Sequence, residues 1–429
     1  MSGPQALSAV EFAALMTALP TPEPGALAVA VSGGPDSMAL TLLLSAWAQT
    51  YQVQLQAFTI DHALRPESAA EATQVGQWCA ALGVPHEILR WEHAGVTERL
   101  QEQARTARYD LLAAACRRHG IATLALAHHL DDQAETVLLR FAKGSGIDGL
   151  AGMRVIGTWG DAEPVSLFRP LLVIPKSRLI ATCAARRQEY VCDPGNETPR
   201  FARGRLRAAM PALAAEGLDA VRLSDLAARA GLASAALAEY TRRLLTRAAR
   251  YDAAGYAELN LRLCQEEPAE IQARALTMVL RHIGGAMYAP KHAALLEAMA
   301  TWQEPEPPRR TLQGCEIAVR DGVCRVIREY AAITDRLLLA PGQSVVWDRR
   351  FRVSLTTVAP ENLTVRTLGV LTHDQTDAIA PGLRQKIGMG RVRATMPALF
   401  NAQTLVGIPG YGNVAAYATV QPVTPYIRG

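Results

Sequence analysis

The residues best equipped for chemistry stand in one six-residue stretch, Ser32-Gly33-Gly34-Pro35-Asp36-Ser37, between the apolar runs "ALAVAV" and "MALTLLL". Adjacent glycines after a strand allow backbone angles and close approaches that a Cβ would forbid, so successive N–H groups can converge on one point. At a helix start such a nest binds anions, because unpaired amides and the helix dipole act together. Ser32 and Ser37 add hydroxyls, Ser37 or Asp36 is suited to cap the helix, and Pro35 fits its first turn, where a missing N–H costs nothing. The stretch is expected to seat a pyrophosphate. It is not a Walker loop, since no lysine follows the glycines, and the Gly-x-Gly-x-x-Gly of "GSGIDG" (Gly144, Gly146, Gly149) follows helix-like sequence and is expected to be a loop.

Other groups share this promise. His128, His129, Asp131, Asp132 and Glu135 crowd one short segment. A metal site is one reading, but adjacent histidines point two ways on a helix. Asp132 and Glu135, three apart, fall on one helical face and suit an ammonium, or are the solvated acids of a well-capped helix start. Arg105 and Arg108 share a face in the same way and can reach one polyanion, where guanidinium forks outdo lysine, or are simply surface partners. Residues 165–210 carry nine Lys or Arg against three acids, while the whole chain is only +4. That segment is either a solvated face or a surface for phosphates.

The elements that must position these groups follow from periodicity. Over residues 26–142 short apolar runs alternate with helical-period stretches, the βαβα signature of a parallel sheet covered on both faces. Ligands of such sheets bind at the carboxyl ends of strands, and "SGGPDS", "DHALR" (residues 61–65) and "HHLDD" (residues 128–132) all sit at such ends. From residue 211 to about 299 the chain turns Ala/Leu/Arg-rich with helical spacing; "QEPEPPRR" then marks a linker, Asp321-Gly322 a hairpin, and the last hundred residues read as β-rich. The fold expected is α/β: a doubly wound parallel sheet over residues 1–215, a mainly helical domain over 216–335 and a small β-rich domain over 336–429.

The gross numbers agree. At roughly 150 residues per domain, 429 residues allow two or three. Seven scattered cysteines, none spaced Cys-x-x-Cys, argue against a disulfide framework or a zinc knuckle. No basic leader with a long apolar core opens the chain, and no run of about 18 apolar residues occurs, so the expectation is a cytoplasmic protein without membrane partners. The sequence fixes no oligomeric state and leaves a homodimer open.

Ser-Gly-Gly-x-Asp-Ser resembles the PP-loop of the N-type ATP pyrophosphatases, which split ATP to AMP and pyrophosphate while adenylating an oxygen of their substrate. "DHALRPES", "QARTARYDLL", "LAHHLDDQAETVLLR", "RPLLVIPK" and "DPGNETPRFARGRLR" together resemble the tRNA(Ile)-lysidine synthetase family over residues 26–210, and "LRQKIGMGRVRATMPALF" with "VGIPGYG" is similar to its C-terminal domain. Gly204 and Gly195 depart from that pattern, standing where the family usually has Asn and a Ser-like residue. The resemblance implies ATP and Mg²⁺, free lysine, and a tRNA(Ile) with a CAU anticodon whose wobble cytidine is adenylated at its carbon 2 oxygen and then attacked by lysine. It implies ATP binding by Ser32, Gly33, Gly34, Pro35, Asp36, Ser37, His62 and Arg65, with Asp36 the candidate Mg²⁺ ligand. Arg105 and Arg108 then belong to the adenylation site, Asp132 and Glu135 to lysine, and Arg203, Arg205 and Arg207 to tRNA; His62 and Arg65 could instead tie down their loop. A PP-loop tRNA thiolase and a non-catalytic nucleotide- or RNA-binding module are the competing readings.

Overall fold

The computed structural model describes residues 3–19, 25–62, 67–92, 100–160, 164–191, 202–286, 288–304 and 307–423. Arg65, and residues 193–201 of "DPGNETPRFARGRLR", lie outside the described residues. The chain divides into two compact units, residues 1–234 and 235–429.

The first unit opens with α1 (Ala9–Ala18) and then alternates β1 (Ala26–Ala30), α2 (Pro35–Tyr51), β2 (Gln54–Asp61), α3 (Ser68–Ala81), β3 (His86–Arg90), α4 (Leu100–Arg118), β4 (Thr123–Ala125) and α5 (Leu130–Ala142). After the one-turn helix α6 (Ile147–Leu150) come β5 (Ile156–Trp159), β6 (Val165–Phe168), α7 (Lys176–Ala185) and α8 (Ala202–Ala215), and then α9 (Ala220–Ala248), which begins in the first unit and ends in the second. "GSGIDG" is therefore a turn and a short helix between α5 and β5. The sheet order is β3-β2-β1-β4-β6-β5. Every pair is parallel except β5 with β6, so the doubly wound sheet carries one antiparallel edge strand.

Strand β1 shows why both faces are covered. Its side chains alternate between two cores: Leu27 and Val29, with Val31 just after the strand, enter one with Leu40, Leu43 and Leu44 of α2, while Ala28 and Ala30 enter another with Leu112 and Cys116 of α4. The chain leaves β1 toward β2 on one side and later returns to β4 on the other. That reversal of order opens a crevice at the carboxyl ends of β1 and β4.

In the second unit, β7 (Ala249–Asp252), β8 (Tyr256–Asn260), β9 (Arg310–Leu312), β10 (Cys315–Arg320) and β11 (Val323–Arg328) form a sheet of order β7-β8-β11-β10-β9. Helices α10 (Leu261–Gln265), α11 (Ala269–Gly284) and α12 (His292–Ala300) accompany it, with Ile271, Leu276, Val279, Leu280 and Ile283 of α11 in the shared core. The expected hairpin is present, Arg320 pairing Val323 around Asp321 and Gly322, both at positive φ. The region expected to be mainly helical thus holds a five-stranded sheet as well as its helices. Beyond it lie β12 (Leu337–Leu339), β13 (Ser344–Trp347), β14 (Phe351–Leu355), β15 (Leu363–Thr367), β16 (Pro397–Asn401), β17 (Thr404–Gly407) and β18 (Ala418–Pro422), in two small sheets, β12-β15-β16-β17 and β13-β14-β18. Among the described residues no helix is long and apolar enough to cross a membrane.

Candidate active site

The loop after β1 is sewn by its own hydroxyls. Ser37 Oγ donates to Gly34 O at 3.0 Å, accepts from Ser32 N at 3.2 Å and lies 3.2 Å from Ser32 Oγ. Gly33 sits at φ +83°, and a Cβ there would come within 2.8 Å of Val75 Cγ2; its carbonyl accepts from Val191 N at 2.8 Å. The N-cap of α2 is Gly34, which offers no side-chain cap. This corrects the expectation that Ser37 or Asp36 caps the helix: Ser37 turns back onto Ser32, and Asp36 turns toward His129 and Lys176. The first-turn amides of α2, which have no intrahelical acceptor, keep their donors for an anion.

Asp36 joins this loop to the other side of the crevice. Its Oδ2 lies 3.5 Å from His129 Nε2 and 3.7 Å from Lys176 Nζ, while its buried Oδ1 has no hydrogen-bond partner among the described residues. His129 is buried at the start of α5, with Asp131 and Asp132 carboxylates at 3.4 Å. Burial works against its charge, but the three carboxylates prevail and push its pKa up to about 9. The ring is thus an imidazolium at neutral pH with Nδ1 toward Asp131, so the Asp132 amide 3.4 Å from Nδ1 is a contact and not a capping bond. The cap runs the other way, Asp132 Oδ2 accepting from His129 N at 3.2 Å. Asp131, held down to about 2 chiefly by His129, also accepts the Lys176 amide at 2.9 Å.

His128 has opposite surroundings. Burial and the positive charges of Arg169, Arg108, Arg105 and Arg203 hold its pKa well below the usual imidazole value. Among the described residues no group of three or more His, Cys, Asp or Glu could hold a metal ion.

Arg105 and Arg108 diverge more than their shared face suggests. Arg108 lines a cavity of about 270 Å³ between the ends of β1 and β2, together with Ser32, Thr59, His62 and Glu71. Arg105 is exposed and lies over the Tyr109 ring at 5.2 Å, and Tyr109 stacks on Trp159 at 4.7 Å. His62 meets Trp91 edge-on at 6.1 Å.

The basic segment also splits. Arg203 and Arg205 are exposed on α8, whereas Arg207 turns inward to Glu135, which is only 3% exposed. Arg207 Nε donates to Glu135 Oε1 at 2.5 Å and Nη2 to Oε2 at 3.3 Å, with Asp132 Oδ1 3.8 Å from Nη2. Asp132 and Glu135 do form one acidic seat, and a guanidinium of the same chain lies on it.

Sequence reasoning assigned nothing to Thr59 or Glu71, named His129 only as a possible metal ligand, and counted Lys176 only as one charge of the basic segment. For Lys176 a signal existed: a lysine at the first position of a helix opposes the dipole, an odd choice for stability alone. Of the cysteines, the six that are described are buried and free.

A PP-loop domain family model, ATP_bind_3, matches residues 7–213. The tRNA(Ile)-lysidine synthase of Methylobacterium nodulans is 45% identical over 274 residues, spanning 64% of this chain and 79% of that protein. Its counterpart in Rhodopseudomonas palustris is 42% identical over 320 residues, spanning 74% and 90%. Among solved structures, the U34-tRNA thiolase NcsA from Methanococcus maripaludis aligns with 51% of this chain at a TM-score of 0.43 and 17% identity.

Proposed function

This chain belongs to the tRNA(Ile)-lysidine synthase family, ATP-using ligases, and from that premise we propose the course of its reaction and the residues that carry it. ATP adenylates the carbon 2 oxygen of the wobble cytidine in the CAU anticodon of tRNA(Ile), and pyrophosphate leaves into the loop of Ser32, Gly33, Gly34, Pro35, Asp36 and Ser37. The ε-amine of free lysine then attacks carbon 2 and expels AMP, giving lysidine and changing the codon read from AUG to AUA. The work is cytoplasmic, on residues 1–215, with the 336–429 region binding tRNA.

The observation that carries this reading is adjacency. Asp36, on the phosphate loop, lies 3.5 Å from His129 at the head of the helix that bears Asp132 and Glu135. An anion seat and a cation seat thus share one crevice, as a reaction between a nucleotide and an ammonium-bearing amine requires. The cavity lined by Thr59, His62, Glu71 and Arg108 is placed for the nucleoside, and Arg105 extends the positive field toward the phosphates. Arg65, outside the described residues, keeps its ATP role by resemblance alone. Lysine's ammonium takes the acidic seat by exchange with the Arg207 guanidinium, and one of the two carboxylates accepts the proton the amine must lose. Arg203 and Arg205, exposed on α8, take tRNA phosphates, and Arg207 joins them once displaced.

The Oδ1 of Asp36, unpartnered among the described residues, is a hard oxygen donor of the kind Mg²⁺ shares with phosphates. Bound there, Mg²⁺ would neutralise triphosphate charge.

Incubation with ATP, bulk tRNA and radiolabelled lysine, followed by acid precipitation of RNA, tests the whole reading. Label in tRNA(Ile) is expected only with ATP present. Sulfur transfer without lysine incorporation would favour a thiolase, and ATP binding with neither product a binding module.

A further inference from the structure

The phosphate loop contains no side-chain cation, since its six residues supply amides, two hydroxyls and one carboxylate. Departing pyrophosphate concentrates negative charge, and phosphate-transfer sites answer such charge with lysine, arginine or a metal. In this fold a lysine arrives from elsewhere. Lys176 is the first residue of α7, brought to the loop by the connection from β6, and its Nζ stands 3.7 Å from Asp36 Oδ2.

Three features separate this lysine from an ordinary surface charge. Its stem is anchored, because its own amide donates to Asp131 Oδ2 at 2.9 Å. Its ammonium is held loosely: the pair with Asp36 is long, the side chain is 40% exposed, and such a pair costs little to exchange. Finally, Asp36 has little need of it, since the buried imidazolium of His129 already lies 3.5 Å from the same oxygen. The charge sits unfavourably at a helix N-terminus, a position where an anion would repay it.

We propose that Lys176 is a catalytic residue of ATP activation, its ammonium contacting the β- and γ-phosphate oxygens and staying on pyrophosphate as the α-phosphorus–oxygen bond breaks. The electron pair of that bond leaves with pyrophosphate, and the lysine moves no proton; its contribution is electrostatic. The proposal rests on the adenylation reading above.

The test is calorimetric binding of inorganic pyrophosphate, with Mg²⁺, and separately of adenosine to the full chain, in wild type, Lys176→Ala, Lys176→Met and Lys176→Arg. Loss of one charge-assisted contact should weaken pyrophosphate binding about tenfold or more in the alanine and methionine variants, leave adenosine unchanged, and be largely repaired by arginine. The same loss should appear in an Asp36→Asn background, where a lysine acting only by holding Asp36 would have no further effect. Equal pyrophosphate affinity with and without the ammonium, or a loss that disappears with Asp36→Asn, overturns the proposal. If wild type incorporates lysine into tRNA but the pyrophosphate affinities coincide, only this proposal fails. If they separate while no lysine is incorporated, the adenylation reading fails and the pyrophosphate contact stands.

Discussion

The two seats of the crevice are built on opposite principles. At the end of β1 the anion seat is mostly backbone: a glycine at positive φ, a helix start with no side-chain cap, and hydroxyls tied to one another. At the head of α5 the cation seat is made of side-chain carboxylates, and Arg207 lies on them in two hydrogen bonds to Glu135. The difference follows from solvation. Amides at a helix end are dipoles that water can satisfy, so they cost little uncapped. A carboxylate as buried as Glu135 is costly without a counter-charge, and the chain supplies one from α8. Under the proposed reaction, ATP would meet a ready anion seat and lysine a cation seat already guarded by Arg207.

The strongest way to break this comparison is Asp36→Asn, which removes charge where the two seats meet while leaving the Gly34 N-cap and the Ser32–Ser37 bonds intact. Lysine incorporation should fall by about two to three orders of magnitude; turnover like wild type with normal Mg²⁺ dependence would take Asp36 out of the mechanism. Next, Glu135→Gln keeps the shape of the cation seat and removes one charge, which should raise the lysine concentration for half-maximal incorporation about ten- to a hundredfold. tRNA-supported ATP–pyrophosphate exchange should survive it. Collapse of exchange with lysine affinity untouched would move Glu135 to the nucleotide side.

Arg207→Ala sharpens the contrast, because exchange predicts a gain. Lysine binding to the tRNA-free protein should tighten by about tenfold, the worth of one displaced ion pair, and added guanidinium should compete with lysine. Weaker lysine binding repaired by guanidinium would make Arg207 a helper of the amino acid and not its stand-in.

His129 lends a pH signature to the junction. Its folded pKa of about 9 stands above the ordinary 6.5, so the native state holds a proton that the unfolded chain gives up earlier. Its stabilisation is complete below about pH 6.5 and is lost as pH rises through 9, by at most about 3 kcal/mol. Urea unfolding midpoints should therefore decline over that window, and His129→Gln should flatten the decline. The smallest effect belongs to the exposed arginines: Arg203→Ala with Arg205→Ala should lower the slope of log K for tRNA against log salt by about two, leaving adenosine binding as it was. An unchanged slope would make that face of α8 merely solvated.

Much of the phosphate side was legible because it is local. The apolar run of β1, the glycines and the proline of α2 lie within a dozen residues, and each has one physical use there. The cap was misjudged because small polar residues favour N-caps in general, whereas here Ser37 found a nearer partner in Ser32. The cation side was half legible: three-residue spacing put Asp132 and Glu135 on one face, but no spacing announces that Arg207 returns to them from α8, or that Lys176 reaches the loop from α7. Such pairings depend on strand order, and alternation within β1 does not say that β4 will be its neighbour. Beyond residue 215 the helical periods of α9 and α11 were plain, while β7 and β8 are short and stand far from β11 in sequence, so only tertiary pairing declares them strands.

The adjacency of β1 and β4 also sets a schedule. Leu27 cannot pair with Thr123, nor Asp36 meet His129, until β2, α3, β3 and α4 have been made and laid down, and Lys176 arrives later still, behind β6. During synthesis the loop with its glycines emerges early and waits. A nucleotide site built this way needs the middle of the sheet closed, so it depends on contacts of long sequence separation, the kind that form slowly.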